Sequence, residues 1–188
     1  LLRGYVEPAF HYMPIPELGN IILSGYYQSE KYFINHENEI RNLFSPTEKI
    51  KKYLKNKYGD VSDYTSLHVR RGDYLGLQTH HPLCTISYYN EAMAIAKGKI
   101  LIFSDDLDWC KKTFQDPKFI FVENNSDCQD LYLMSMCKNN IIANSSFSWW
   151  GAWLNDNKNK KVIAPKNWFG KSINHNTQDL YPESWIKI

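Results

Sequence analysis

The chain has 188 residues, 43% hydrophobic and 22% charged, which is the balance of an ordinary globular protein. Its net charge of +2 excludes the strongly basic surface typical of nucleic-acid binders, so no nucleic-acid partner is expected. No apolar run resembles a secretion signal or a membrane span, and we therefore expect a cytoplasmic protein.

The four cysteines, Cys84, Cys110, Cys128 and Cys137, form no Cys-x-x-Cys pair. A chain of this length can bury a core without covalent staples. The cysteines are therefore predicted to be reduced, small hydrophobic residues.

Residues 1–44 are rich in Pro, Tyr and Gly and show no steady periodicity, which suggests the end of a preceding domain. Within them, Ile21–Leu23 is predicted to form a short buried strand. A helix is then predicted to begin at Ser45-Pro46-Thr47-Glu48, with Ser45 as cap and Glu48 completing a capping box.

From residue 65 onward, short apolar strands alternate with helices, a pattern typical of a parallel sheet with helices on both faces. We predict a Rossmann-like α/β fold with helix caps at Ser104, at Ser126 (with Gln129) and at Ser145 or Ser146. The predicted strands are 65–69, 99–103, 118–122, 140–143 and 161–164, and the helices between them include 87–97 and 127–138.

Polar residues follow three of these strands, at the sheet edge where ligands of such folds bind. In His68-Val69-Arg70-Arg71-Gly72-Asp73-Tyr74, two adjacent arginines end the first strand. A guanidinium group binds phosphate oxygens in pairs, so one arginine could bind a diphosphate. The alternative is an ion pair that only fixes the loop, for example with Asp73.

The second strand end carries Ser104-Asp105-Asp106-Leu107-Asp108. A capped first turn with acidic residues that suit the helix dipole explains this segment well. Asp106-Leu107-Asp108 also spells the Asp-x-Asp pattern of metal-dependent sugar transferases, but Leu107 fits a helical core face. We therefore predict no metal site.

The third segment, Asn144-Ser145-Ser146-Phe147-Ser148-Trp149-Trp150-Gly151, again joins a strand to a helix. Small hydroxyl side chains and free amide groups at a helix N-terminus suit a phosphate. The alternative, a serine cap followed by an aromatic core helix, explains Phe147 and Trp150 but not the small polar run.

In this order and spacing, the three segments and Asp130-Leu131-Tyr132-Leu133-Met134-Ser135 resemble glycosyltransferase family 11, the α-1,2-fucosyltransferases. The resemblance implies the C-terminal donor domain of a two-domain GT-B enzyme, and runs from about Gly25 to Pro165. It implies no cofactor, with GDP-fucose as the donor substrate.

By the same resemblance, Arg70 would bind the β-phosphate, and Arg71 and Asp73 would shape the cleft. The other residues implied to bind GDP-fucose are His68 and Asp130 on the guanine side, Ser104, Asp105 and Asp106 near the nucleoside, and Asn144, Ser145 and Ser146 at the phosphate. The expected reaction is a metal-independent displacement that inverts the fucose anomeric carbon, with the 2-hydroxyl of a galactoside as acceptor. Arg70 would stabilise the leaving diphosphate, and Asp73 is the candidate general base.

The family's glycine-rich N-terminal segment is missing here, and Leu18-Gly19-Asn20 does not replace it. We therefore expect an N-terminally truncated chain: 1–44 as a remnant of the acceptor domain and linker, 45–170 as the GDP-sugar-binding domain, and 171–188 as a C-terminal tail. The partners implied are a nucleotide sugar and a glycan acceptor, and any peripheral membrane association would run through the acceptor.

Two alternatives stay open: another GDP-fucose-dependent linkage, and a non-catalytic module that binds sugar nucleotides or glycans. A dinucleotide oxidoreductase has no support, because no Gly-x-Gly-x-x-Gly follows any predicted strand. The acceptor glycan and the oligomeric state cannot be derived from this sequence.

Overall fold

The computed structural model describes residues 3–17 and 19–188. Leu18, the first residue of the tripeptide considered above, lies outside the described residues, as do Leu1 and Leu2.

A six-stranded sheet, parallel throughout, forms the centre of the molecule. Its strands are β3 (Thr65–Val69), β4 (Ile100–Ser104), β5 (Phe119–Phe121), β6 (Asn139–Ile141), β7 (Val162–Ala164) and β8 (Ile186–Lys187). The spatial order is β5-β4-β3-β6-β7-β8, so the chain runs outward from β3 in one direction and later in the other. The point of reversal lies between β3 and β6, where open α/β sheets bind their ligands.

Six α-helices accompany the strands in the described part of the chain. They are α1 (Glu37–Leu43), α2 (Glu48–Tyr58), α3 (Ile86–Ile95), α4 (Leu107–Thr113), α5 (Asp127–Ser135) and α6 (Ser146–Leu154).

The strand side chains alternate between two apolar layers, as the pleat requires. On one face, Ile100 and Ile102 pack with α3 and α4. On the other, Leu101 and Phe103 pack with α2 and α5, and Val162 and Ala164 pack with α6. Helices therefore cover both faces, which confirms the Rossmann-like α/β prediction.

The N-terminal segment forms a separate parallel pair, β1 (Arg3–Val6) and β2 (Ile21–Ser24). The prediction that Ile21–Leu23 would be buried is wrong, because Ile22 is 54% and Leu23 46% exposed. This pair lies outside the six-stranded sheet, and the apolar composition of β2 alone could not reveal that.

Two of the predicted helix caps shift by two residues. Thr47, not Ser45, caps α2 by accepting from Ile50 N–H, while the Ser45 hydroxyl donates to the Asn42 carbonyl. Asp106, not Ser104, caps α4. The capping box of Ser126 and Gln129 at the start of α5 is confirmed.

The segment 171–188, expected as a tail, supplies β8 at the sheet edge. It also buries Leu180, Tyr181 and Trp185 in the layer around α6. The indole N–H of Trp149 donates to the Leu180 carbonyl at 2.8 Å, which fixes this segment against the helix.

Candidate donor-binding site

A cavity of about 260 Å³ opens at the carboxyl edge of the sheet, between the ends of β3, β4 and β6. It brings together six residues predicted for the site: His68, Arg70, Ser104, Asp105, Asp130 and Ser145. Phe103, Asp127 and Phe147 complete its wall. The other predicted site residues, Arg71, Asp73, Asp106, Asn144 and Ser146, do not line it.

Arg70 is held in the cavity by two carboxylates. Its Nη2 atom lies 2.6 Å from Asp73 Oδ1, and its Nη1 atom lies 2.9 Å from Asp105 Oδ2. The guanidinium carbon also lies 5.2 Å from the centre of the Tyr74 ring. The side chain is still 34% exposed, so its position is fixed while part of the guanidinium stays open.

The Arg71 side chain contacts the neighbouring loop and helix rather than the cavity. Its Nε atom donates to Asp106 Oδ2 at 3.0 Å, and its guanidinium carbon lies 3.9 Å from the centre of the Trp109 ring. The hydrogen bond from Arg71 lowers the pKa of Asp106. Successive residues of an extended segment point to opposite sides, which separates the two arginines.

Asp105 links the two neighbouring loops. Its Oδ1 atom accepts from Arg71 N–H at 2.9 Å while its Oδ2 atom pairs with Arg70. A Cβ at Gly72 would lie 2.5 Å from that same Oδ2 atom. Glycine is therefore required at position 72 so that Asp105 can reach Arg70.

His68 is the most deeply buried polar side chain of the cavity wall, at 6% exposure. Burial lowers the pKa of His68 to about 4, although the charge of Asp105 opposes the shift and that of Arg70 adds to it, so the ring is neutral at pH 7. Its Nδ1 atom is buried and has no hydrogen-bond partner within residues 3–17 and 19–188. Such an atom would gain a hydrogen bond from any ligand group that reaches it.

Asp130 lies on α5 and accepts a hydrogen bond from Asn125 Nδ2 at 2.9 Å. Burial raises the pKa of Asp130, although the bond from Asn125 opposes the shift. Asn125 is oriented in turn, because its Oδ1 atom accepts from Lys57 Nζ at 2.7 Å. Sequence reasoning missed Asn125 and Lys57, since their proximity to Asp130 depends on how α2 packs beside the loop before α5.

The loop from β6 into α6 divides the three remaining candidates. The amide of Asn144 is buried and donates to the carbonyls of Pro82 and Trp168, both at 3.0 Å, so it joins three loops. Ser145 lines the cavity and precedes α6, whereas Ser146 lines neighbouring cavities. Among the described residues, no side chain caps α6, which leaves its first-turn N–H groups open to an anion.

The family model for glycosyl transferase family 11 matches residues 3–188. The chain belongs to glycosyltransferase family 11.

Relatives within family 11 extend well beyond this chain. It is 39% identical to the alpha-1,2-colitosyltransferase of Escherichia coli, over 90% of this chain and 63% of that protein. It is 37% identical to the O-antigen biosynthesis glycosyltransferase WbnK of the same species, over 88% of this chain and 60% of that protein. A galactoside 2-alpha-L-fucosyltransferase of Caenorhabditis elegans is 25% identical, over 89% of this chain and 53% of that protein.

The solved structure of the fucosyltransferase NodZ from Bradyrhizobium matches 65% of this family 11 chain and 58% of its own, with a TM-score of 0.39 and 16% identity. Within the described residues, no helix has the length and apolar character needed to cross a bilayer.

Proposed function

We propose that the cavity at the carboxyl edge binds the GDP part of a nucleotide sugar, as the donor site of an inverting, metal-independent α-1,2-fucosyltransferase that acts on galactosides. One observation carries the proposal: Arg70 and the uncapped start of α6 lie on the same cavity. A guanidinium group and the free backbone N–H groups at a helix start both bind phosphate oxygens.

Negative charge grows on the diphosphate as the bond to the fucose anomeric carbon breaks. Arg70 is already oriented by Asp73 and Asp105, so it needs little rearrangement to meet that charge. Each charge-assisted hydrogen bond contributes about 1.5–3 kcal/mol.

The acceptor 2-hydroxyl attacks from the side opposite the leaving group, which inverts the anomeric carbon. Its proton would pass to Asp73, whose side chain is 57% exposed and therefore accessible to an incoming sugar. The ion pair with Arg70 keeps this carboxylate beside the reacting groups.

Asp130 and His68 suit the guanine base. Guanine presents two adjacent N–H donors on its pairing edge, and a carboxylate such as Asp130 accepts from both. Its O6 and N7 atoms are acceptors, which the neutral His68 ring can meet with an N–H group. An adenine base reverses the donors and acceptors of this edge and would leave Asp130 unpaired.

GDP-colitose is a second candidate donor, because the relative with 39% identity is named for colitose transfer. Colitose is fucose without the 3-hydroxyl, so a single contact to that hydroxyl separates the two donors. The first measurement compares fucose and colitose as the sugar carried by GDP.

The test is calorimetric titration of the chain with GDP, GDP-fucose and GDP-colitose, first with EDTA and then with magnesium or manganese. We expect binding in EDTA that metal does not strengthen. Arg70→Lys should weaken it by at least about tenfold, because lysine loses the forked contact. Arg41→Lys is the matched control, since Arg41 pairs with Glu37 on α1, outside the cavity.

Binding that requires metal would contradict the metal-independent mechanism. Equal affinity of the wild-type and Arg70→Lys chains would contradict the role of Arg70. Transfer and linkage are then measured on the complete polypeptide that contains this chain, by determining the position of the new bond on a galactoside acceptor.

A further inference from the structure

Two adjacent cavities are lined by Ser146, which directly follows Ser145 of the donor cavity. They measure about 220 and 130 Å³ and share Tyr26, Gln28, Ser146 and Trp168 as wall residues. We call them together the aromatic groove. The larger lobe is completed mainly by Phe10, Tyr74, His81, Phe169 and His175, and the smaller by Phe33, Trp149 and Trp150.

The larger lobe is joined to the donor cavity by stacked rings. Arg70 lies over one ring, that of Tyr74, with 5.2 Å between the guanidinium carbon and the ring centre. The Tyr74 ring stacks on His81 at 4.9 Å, with 19° between the two planes. The wall of the groove therefore begins at the residue that we assign to the leaving diphosphate.

The same wall continues to the N-terminal segment. His81 packs against Phe169 at 5.9 Å, and Phe169 meets the edge of Phe10 at 5.0 Å. His175 stacks on Phe10 at 5.0 Å, with 5° between the planes. Segments far apart in sequence thus build one apolar wall, in which the partly buried rings of Phe10 and Phe169 pack on the buried layer around α6.

Polar groups lie within this apolar wall. The Nδ1 atom of His81 is buried and has no hydrogen-bond partner in the described part of the chain. Gln28 and Ser146 add an amide and a hydroxyl where the two lobes meet. Aromatic faces with a few convergent polar groups are typical of sites for small polar ligands with apolar faces, such as pyranoses.

We propose that the aromatic groove binds the acceptor glycan, with one pyranose ring in the larger lobe beside Tyr74 and the next ring in the smaller lobe. This inference rests on the proposed donor site. The apolar face of a β-galactoside, formed by its C3–H, C4–H and C5–H groups, would lie on the aromatic wall. A donor sugar is a single ring bonded directly to the diphosphate, so it would not need two lobes.

The test uses the GDP-saturated chain and two probes, methyl β-galactoside and lactose, with saturation-transfer NMR as the measurement. We expect both sugars to bind, and lactose to bind more tightly because it reaches both lobes. Phe169→Ala and Gln28→Ala should each weaken galactoside binding by about tenfold. GDP affinity should stay within about twofold of wild type.

Leu43→Ala is the control, because Leu43 is 78% exposed and lines neither lobe. Gln28→Ala keeps the test valid if Phe169→Ala unfolds the chain, and thermal melting identifies that case.

Failure of GDP to bind the wild-type chain would refute the donor-site proposal on which this one rests. GDP binding without any saturation transfer to either sugar would refute the acceptor groove alone. A groove variant that weakens GDP-fucose but not GDP would assign the larger lobe to the donor sugar, which also overturns the acceptor assignment.

Discussion

Ser66 and His68 lie two residues apart on β3, buried on the same face of the sheet, yet their surroundings differ. The Ser66 hydroxyl accepts from Asn140 Nδ2 at 2.7 Å, within a buried network in which Asn155 Nδ2 also reaches Asn140 Oδ1 at 2.8 Å. His68 lies two residues closer to the carboxyl edge of the sheet. Its Nδ1 atom has no hydrogen-bond partner among the described residues.

The difference separates polar groups that stabilise the fold from those available to a ligand. Asn140 uses its amide fully, because Nδ2 also donates to the Met134 carbonyl at 2.9 Å. Burying such a group costs little only when every hydrogen bond is made. The unpaired Nδ1 atom of His68 therefore gains a hydrogen bond only when a ligand in the cavity reaches it.

The largest effect on stability is expected from removing Asn140, the centre of the buried hydrogen-bond network. Asn140→Leu leaves the Ser66 hydroxyl without a partner. It also removes one hydrogen bond from the Met134 carbonyl and one from the Asn155 amide, which both keep a bond to the Cys137 backbone. At about 1–3 kcal/mol for the unpaired hydroxyl and about 1 kcal/mol for each of the other two lost bonds, the free energy of unfolding should fall by about 4 kcal/mol. Urea denaturation measures this change, and Asn38→Leu on the exposed face of α1 is the control. A loss below that of the control would show that the network adds nothing.

The next largest effect is the pH dependence of stability that His68 causes. The unfolded chain binds a proton at His68 near pH 6.5, whereas the folded chain does so only near pH 4. Stability from this residue is therefore complete above about pH 6.5 and falls as the pH decreases toward 4, by a total on the order of 3 kcal/mol. His68→Gln should flatten this part of the stability profile, and superimposable profiles for the two proteins would contradict the assignment.

A smaller effect concerns the base contact. Asp130→Asn replaces a carboxylate that accepts two N–H groups by an amide that accepts only through its oxygen. GDP affinity should fall about tenfold. The affinity for inosine diphosphate, which lacks the 2-amino group, should fall much less. The ratio of GDP affinity to inosine diphosphate affinity should therefore decrease. Calorimetry with both nucleotides measures this, and an unchanged preference would place the base elsewhere.

The smallest effect tests the support of Arg70. In Gly72→Ala, the new methyl group would lie 2.5 Å from Asp105 Oδ2 and displace that carboxylate from Arg70. We expect GDP binding to weaken about fivefold, roughly 1 kcal/mol. Gly76→Ala is the control, since nothing lies within 4 Å of a Cβ there. Equal affinities for the two variants would mean that Asp105 does not position Arg70.

Short-range patterns predicted the fold well. The capping box at Ser126 and Gln129 needs only residues three apart, and the strand Ile100–Ser104 is apolar enough to be recognised alone. Cap positions were less certain, because Ser45, Thr47, Ser104 and Asp106 are all chemically able to cap. The structure selects among them by the direction in which the chain enters each helix.

The site was predictable as a set of strand ends, but not in its division of roles. The repeated Arg70-Arg71 pair gives no sign of which side chain faces the cavity, and the contact of Arg71 with Trp109 depends on tertiary packing. Asn144 likewise looks like a ligand contact in sequence, while its amide bonds to Pro82 and Trp168. Hydrogen-bond partners distant in sequence decide these roles.

The central position of β3 has a consequence for synthesis on the ribosome. β3 is the first strand of the large sheet to be made, yet Thr65 and its neighbour Asn139 are 74 residues apart. At roughly 5–20 residues per second, translation leaves that edge of β3 uncovered for about 4–15 seconds. The nascent chain thus exposes the unpaired backbone N–H and C=O groups of that strand edge throughout the interval, and such an edge can pair with another chain.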